Sequence, residues 1–162
     1  MSGNRLKVED VKVFSDAALG FFAQTTGHKA SVRTAYLLDG AGPTVWNDFQ
    51  GRIELAGRYR GSVTFSAPRG LLTHVLLSIG ESDYTDASHR DIVGEIANQM
   101  SGQARRHFGE AMDISPPRVI DRDQARHEAN QHQAQGMAPF VIPVQWDRYE
   151  AHLVVQMEQG QG

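Results

Sequence analysis

Asp91-Ile92-Val93-Gly94-Glu95-Ile96-Ala97-Asn98 decides how this chain is read. Apolar or small residues recur at Val93, Ala97, Met100, Ala104 and Phe108. That spacing predicts a helix over residues 90–110 with one buried face. On the opposite face, Asp91, Glu95, Asn98 and Gly102 follow at i, i+4, i+7 and i+11. A carboxylate and a carboxamide then project from consecutive turns, with a bare glycine one turn later. Such a pair can hold a water or grip a cationic partner, and the glycine lets something large come close. The plain alternative is a solvated helix face. Two residues speak against it: Asn is a poor mid-helix residue, and Gly costs roughly 1 kcal/mol there relative to Ala. This helix carries both, Asn98 and Gly102, where optimisation should be easiest.

The 162 residues point to one domain, residues 1–162, with a core over about 8–157. A chain of this size buries roughly two thirds of its unfolded surface. The 40% apolar content is that of a globular protein. With no cysteine, disulfides and thiolate metal sites are excluded. The start, Met1-Ser2-Gly3-Asn4-Arg5-Leu6-Lys7, lacks an apolar secretory segment, and no run is long enough to span a bilayer. A cytoplasmic location with no membrane insertion is expected. The net charge of −3 argues against a nucleic-acid binder. The basic pair Arg105-Arg106 reads as the charged end of a helix rather than a phosphate track.

Before the decisive helix, residues 8–26 predict a first long helix closed by Gly27. Residues 30–38 read as a strand, followed by a turn at Asp39-Gly40-Ala41-Gly42-Pro43. Residues 49–55 and 59–67 form a hairpin across Ala56-Gly57-Arg58, with Ile53, Leu55, Val63 and Phe65 alternating with polar residues. Pro68 opens a shorter helix to about Ile79, and a polar loop spans residues 80–88. After the decisive helix, residues 114–120 read as a strand marked by Pro116-Pro117. Residues 122–136 are a polar surface loop or loose helix. Residues 140–146 and 152–157 close the chain as a hairpin across Asp147-Arg148-Tyr149. The expected fold class is α/β (α+β), an antiparallel sheet with two long helices packed on one face. The two halves echo each other as helix, strand, hairpin, which suggests an internal repeat. Asp16, Gly20, Ala23 and Gly27 repeat the offsets of Asp91, Glu95, Asn98 and Gly102, with the two inner positions blank.

The helix Asp91-x-x-x-Glu95-x-x-Asn98 with Gly102 resembles the signature helix of the CheC/CheX/FliY chemotaxis phosphatases. The CheX branch fits best. Gly51-Arg52-Ile53-Glu54-Leu55-Ala56-Gly57 and Gly61-Ser62-Val63-Thr64-Phe65 look like its central hairpin, and Ile114-Ser115-Pro116-Pro117-Arg118-Val119-Ile120 like its following strand. The resemblance spans about residues 8–157 and is strongest over 51–120. It implies a CheC-like fold with an internal pseudo-two-fold repeat. It also implies hydrolysis of the aspartyl phosphate of a CheY-like response regulator. Gly20 and Ala23 stand where a second Glu and Asn would be needed, so one active helix is expected. Two departures stand out: residues 122–136 look longer and more polar than in the family, and Trp146-Asp147-Arg148-Tyr149 replaces a glycine turn.

Acyl-phosphate hydrolysis is mostly a matter of placing a water in line with the phosphorus–oxygen bond. A carboxamide can accept from that water and donate to a neighbouring oxygen, which makes Asn98 the candidate water-orienting group. By the resemblance, Glu95 pairs with the regulator's lysine. Asp91 is a rim contact or a first-turn carboxylate favouring the helix dipole. Gly102 serves close docking or internal packing. No cofactor or metal is expected on this chain, with magnesium on the partner receiver. The resemblance also implies a homodimer joined through sheet edges, for which Phe140-Val141-Ile142 and Leu153-Val154-Val155 are candidates. The rival readings are a non-catalytic adaptor binding a receiver or flagellar motor protein through the same helix, and an inert dimer module.

Three other patterns lead nowhere. His89-Arg90-Asp91 begins like a kinase catalytic loop, but Ile96 stands where its Asn is required. His127 and His132 are five residues apart, not the four of a zinc helix. Gly40-Ala41-Gly42-Pro43 lacks the third glycine of a dinucleotide loop, with Val45 in its place. The seven histidines are expected mostly at the surface.

Overall fold

The computed structural model describes residues 6–38 and 44–160, so the expected turn at 39–43 lies outside the described residues. The chain opens with α1 (Val8–Thr26), which ends where expected because Gly27 takes a left-handed conformation, φ 74°. The strand expected over 30–38 is two short pieces, β1 (Ser31–Val32) and β2 (Tyr36–Leu37). The central hairpin is β3 (Phe49–Gly57) and β4 (Tyr59–Ala67). Next come α2 (Arg69–Ser78) and α3 (Asp86–Phe108). α3 starts four residues earlier than expected, because Thr85 caps it by accepting from the Ser88 N–H. The strand expected over 114–120 is also divided, into β5 (Met112–Ile114) and β6 (Arg118–Ile120). Pro116-Pro117 has no N–H to give a ladder and separates the two. Residues of the polar segment form a regular helix, α4 (Arg122–Ala134), capped by Asp121. β7 (Phe140–Trp146) and β8 (Tyr149–Gln159) close the chain across a two-residue turn in which Asp147 takes φ 53°.

The eight strands among the described residues form one sheet, ordered β1-β7-β8-β4-β3-β5, with β2 also on β7 and β6 also on β3. Every pairing is antiparallel. Each divided strand flanks the hairpin of the other half of the chain. This corrects the edge expectation. Leu153-Val154-Val155 lies between β7 and β4, and Phe140-Val141 is covered by Tyr36 and Leu37 of β2.

α1, α2 and α3 share one face of the sheet and bury the main core, including Phe14, Phe22, Ile53, Phe65, Leu72, Val93 and Ile96. α1 is joined to the end of α3 by a buried carboxylate. Asp10 accepts from the Tyr59 hydroxyl at 2.6 Å and from His107 Nε2 at 2.8 Å. Burial works to raise this carboxyl, but those two bonds and the nearby Arg58 charge hold it below the usual range.

The segment expected as a polar surface loop or loose helix is α4, and it covers the opposite face of the sheet. Val45, Trp46, Ala125, Ala129, Val141 and Val154 make a second, smaller core there. The rest of that face is polar yet buried: Gln50, Arg52, Ser62, Thr64, Ser66 and Gln156. Arg52, only 1% exposed, pairs with Glu128 of α4 at 2.8 Å, and Arg118 grips Glu128 with both ends at 2.6 and 3.3 Å. Arg52 also donates to His132 Nε2 at 2.8 Å. A guanidinium has no acceptor, so His132 is neutral with its proton on Nδ1. Burial and the Arg52 charge hold its pKa below the usual histidine value. α4 is polar because the surface it covers is polar.

Candidate functional site

The placement of α3 is set by one glycine on β3. A methyl group at Gly51 would lie 2.6 Å from the Val93 carbonyl oxygen and 2.9 Å from the Ala97 Cβ. Only a residue without a side chain lets the helix cross so close to the strand. Val93 and Ala97 thus face the sheet at Gly51, and Glu95 and Asn98 turn to the far side. On one flank of α3, Gly94 meets Val119 of β6 and Arg105 donates to the Ile114 carbonyl at 2.9 Å. On the other, His89 lies buried, stacked on Phe49 and bonded to Thr73 of α2 and to the Thr85 carbonyl, each at 2.7 Å.

The four residues singled out from the sequence share one outward face. Asp91, Glu95 and Asn98 are exposed and Gly102 is partly so. Among the described residues, none of the three polar side chains has a hydrogen-bond or ion-pair partner. Asp91 is not a first-turn carboxylate: the helix begins at Asp86, and Asp86 holds that position, paired with Arg69 at 2.7 Å. Gly102 is not required for packing. An added Cβ there would meet only the guanidinium of Arg106, at 3.8 and 4.0 Å, which is ordinary contact.

Two corrections concern histidine. Only His28, His107 and His127 are exposed, and the other four are partly or fully buried. His132 turns under α4 toward Arg52 and away from His127's solvent face. Among the described residues, no group of three or more His, Asp or Glu side chains is arranged to hold a metal ion. An apolar groove lies elsewhere, about 550 Å³ between the start of α1, β1, β2 and β7, lined by Leu6, Val8, Val32, Leu37, Met137 and Phe140. Sequence reading missed it, because its apolar residues come from four separated stretches.

The family described as chemotaxis phosphatase CheX matches residues 49–144, from β3 through α3 to β7. The chain belongs to the CheX family. Solved structures agree on the fold. A CheC-like superfamily protein from a Shewanella species superposes with a TM-score of 0.74 at 18% identity, over 94% of this chain and 99% of that one. The chemotaxis protein CheX of Vibrio vulnificus gives 0.71 at 17% identity, over 93% and 100%. The CheX of Borrelia burgdorferi, solved in complex with CheY, BeF3 and Mg2+, gives 0.68 at 17% identity, over 94% and 100%. No curated protein sequence matches the chain. CheX membership accounts for the antiparallel sheet with the α1–α3 pair on one face. No helix among the described residues is long and apolar enough to cross a membrane.

Proposed function

We propose that this CheX-family chain hydrolyses the aspartyl phosphate of a CheY-like receiver domain in the cytoplasm. The observation that carries the reading is the state of Glu95 and Asn98: same face, exposed, and without partners in the chain. Side chains left unpaired on a helix that packs against the sheet remain available to a partner. Asn98 enters the receiver's site and orients a water in line with the phosphorus–oxygen bond. Its carboxamide accepts one water hydrogen, which leaves a water lone pair aimed at phosphorus. Glu95 pairs with a receiver cation and fixes the register, and Asp91 contacts the rim. The bare Gly102 admits the partner's surface. Magnesium comes with the receiver, as in the Borrelia CheY complex.

Phosphate release from phosphorylated CheY-type receivers, with and without the protein, is the test. Accelerated release is expected. Binding without acceleration would replace the enzyme by an adaptor, and neither binding nor acceleration would leave an inert module.

The chain acts as a homodimer, through a different edge from the one first expected. β1 and β2 bound the sheet on one side, and Val8, Val32 and Leu37, exposed to 80%, 44% and 68%, line the groove beside them. Pairing there would cover exposed strand and apolar surface while leaving α3 free. Light scattering at micromolar concentration should give twice the chain mass, and a clean monomer near 17.9 kDa would remove the dimer. The sheet order, in which each divided strand flanks the other half's hairpin about a central β4–β8 pair, supports reading the halves as an internal repeat.

A further inference from the structure

The outward stripe of α3 does not stop at Gly102. Arg106 follows four residues later, so the face reads Asp91, Glu95, Asn98, Gly102, Arg106. Helical side chains lean toward the N-terminus, and this one does: a Cβ on Gly102 would meet Arg106 Nη1 at 3.8 Å and Nη2 at 4.0 Å. The guanidinium therefore lies over the bare glycine, about one turn (~6 Å along the axis) from Asn98. Arg106 is exposed and, among the described residues, has no hydrogen-bond, ion-pair or ring partner. Its neighbour behaves differently. Arg105 is tied to the Ile114 carbonyl at 2.9 Å. The basic pair thus divides into a fixed member and a free one, and the free one stands beside the site.

We propose that Arg106 is a positioning residue that docks an anionic oxygen of the phosphorylated receiver. Glu95 holds a cation at the other end of the stripe, so the helix carries a two-sign clamp with Asn98 between its ends. This rests on the phosphatase reading above and names the chemistry of the partner surface at the Gly102 end: phosphoryl or carboxylate oxygens. A planar guanidinium suits such oxygens, because it offers two parallel N–H donors and is always charged. Gly102 fits the same account. It weakens the helix and serves no internal packing, and it leaves the helix surface between Asn98 and the guanidinium without a side chain.

Steady-state turnover of a CheY-type receiver, phosphorylated with acetyl phosphate in the presence of magnesium, is the experiment. Arg106→Ala should raise KM about tenfold with kcat changed less than about twofold, and Arg106→Lys should recover part of the loss. Arg106→Glu should exceed Arg106→Ala, because it sets like charges against each other. The KM of the unsubstituted protein should climb with added salt, and that of Arg106→Ala should climb less. A purely structural Arg106 would shift the thermal midpoint and spare this salt dependence. Unchanged KM and salt response in Arg106→Ala and Arg106→Glu, on a receiver that the unsubstituted protein turns over, would overturn the docking role alone. If no receiver is turned over, the phosphatase reading fails. The docking role is then judged by titrating the BeF3-loaded receiver: weaker binding of Arg106→Ala and Arg106→Glu supports it, and equal or absent binding overturns it.

Discussion

α1 and α3 lie side by side on the same face of the sheet and carry matched offsets, Asp16-Gly20-Ala23 against Asp91-Glu95-Asn98. What differs is whether the outward side chains are occupied. In α1, Asp16 is bound by Lys12 at 2.8 Å, Gly20 presents nothing, and Ala23 is half-buried. The fourth offset differs too: Gly27 is the left-handed cap that ends α1, whereas Gly102 sits within α3. Gly20 is blank without being cramped, since an added Cβ there would meet nothing within 4 Å. Packing therefore does not forbid a second Glu. The fold requires two helices, and the proposed chemistry requires only one.

The sharpest way to break this contrast is Asn98→Ala. Loss of the water-orienting carboxamide should slow catalysed phosphate release by roughly 100-fold or more, the scale set by mispositioning of a reactant. An exposed helix position accepts alanine well, so the thermal midpoint should hold or rise slightly. Near-normal release on a competent receiver would make α3 as inert as α1.

Glu95→Lys comes next. Reversing the charge should weaken binding of the BeF3-loaded receiver by roughly tenfold or more, with Glu95→Ala intermediate. Equal affinity across the three proteins would take Glu95 out of the interface and leave Asn98 to act without an anchor.

The α4 layer supplies the opposite control, side chains that are fully engaged. Glu128→Ala leaves Arg52 buried without its partner, so it should cost about 3–5 kcal/mol in urea unfolding. Turnover by the folded fraction should be nearly unchanged, because α4 and α3 lie on opposite faces of the sheet. His132 adds a milder pH effect. Its folded pKa is held below 6.5, so the unfolded chain takes up the proton first as pH falls. Stability is therefore fully present above pH 6.5 and declines below it toward the folded pKa. The Asp10 and Glu128 carboxyls titrate lower, below 3.8 and 4.5, so the decline near pH 6 belongs to this histidine rather than to them. His132→Gln keeps an acceptor for Arg52 and should flatten the urea midpoint between pH 7.5 and 5.5, and an equally steep loss would show that His132 is not the titrating group.

Much of the main core was legible because its signals are local and redundant. α1 has an apolar period and a glycine stop, and β3–β4 has alternation about a glycine turn. The start of α3 was missed although its cap, Thr85 with Ser88, stands in the sequence, because a polar run reads equally as loop. The second layer was missed for a deeper reason. Alternation in β3, β4 and β8 marks Gln50, Arg52, Thr64 and Gln156 as facing away from the apolar core, and that is correct. It does not say whether water or a polar helix waits there. Gln156 donates to the Ala129 and Met137 carbonyls at 3.0 Å each, bonds between residues far apart in the chain. The same limit hid the sheet edges, since the partners of Phe140-Val141-Ile142 depend on where β2 and β8 fall.

The smallest expected effect is the one that tests the degenerate helix directly. Asp16→Ala removes an exposed ion pair whose two side chains are 64% and 54% accessible. Such a pair contributes about 0.3–0.5 kcal/mol, and alanine's helix propensity offsets part of that. The thermal midpoint should therefore move by no more than a degree or two. Turnover of the phosphorylated receiver should stay within about twofold, because Asp16 stands on α1 with no Glu or Asn at the inner offsets to act with it. The outcome that matters is a selective one. A turnover loss near that of Asn98→Ala, with the midpoint unmoved, would show that the receiver contacts both helices. α1 would then be a second half of the docking surface rather than a blank copy, and the contrast between the two helices would lie in role rather than in activity.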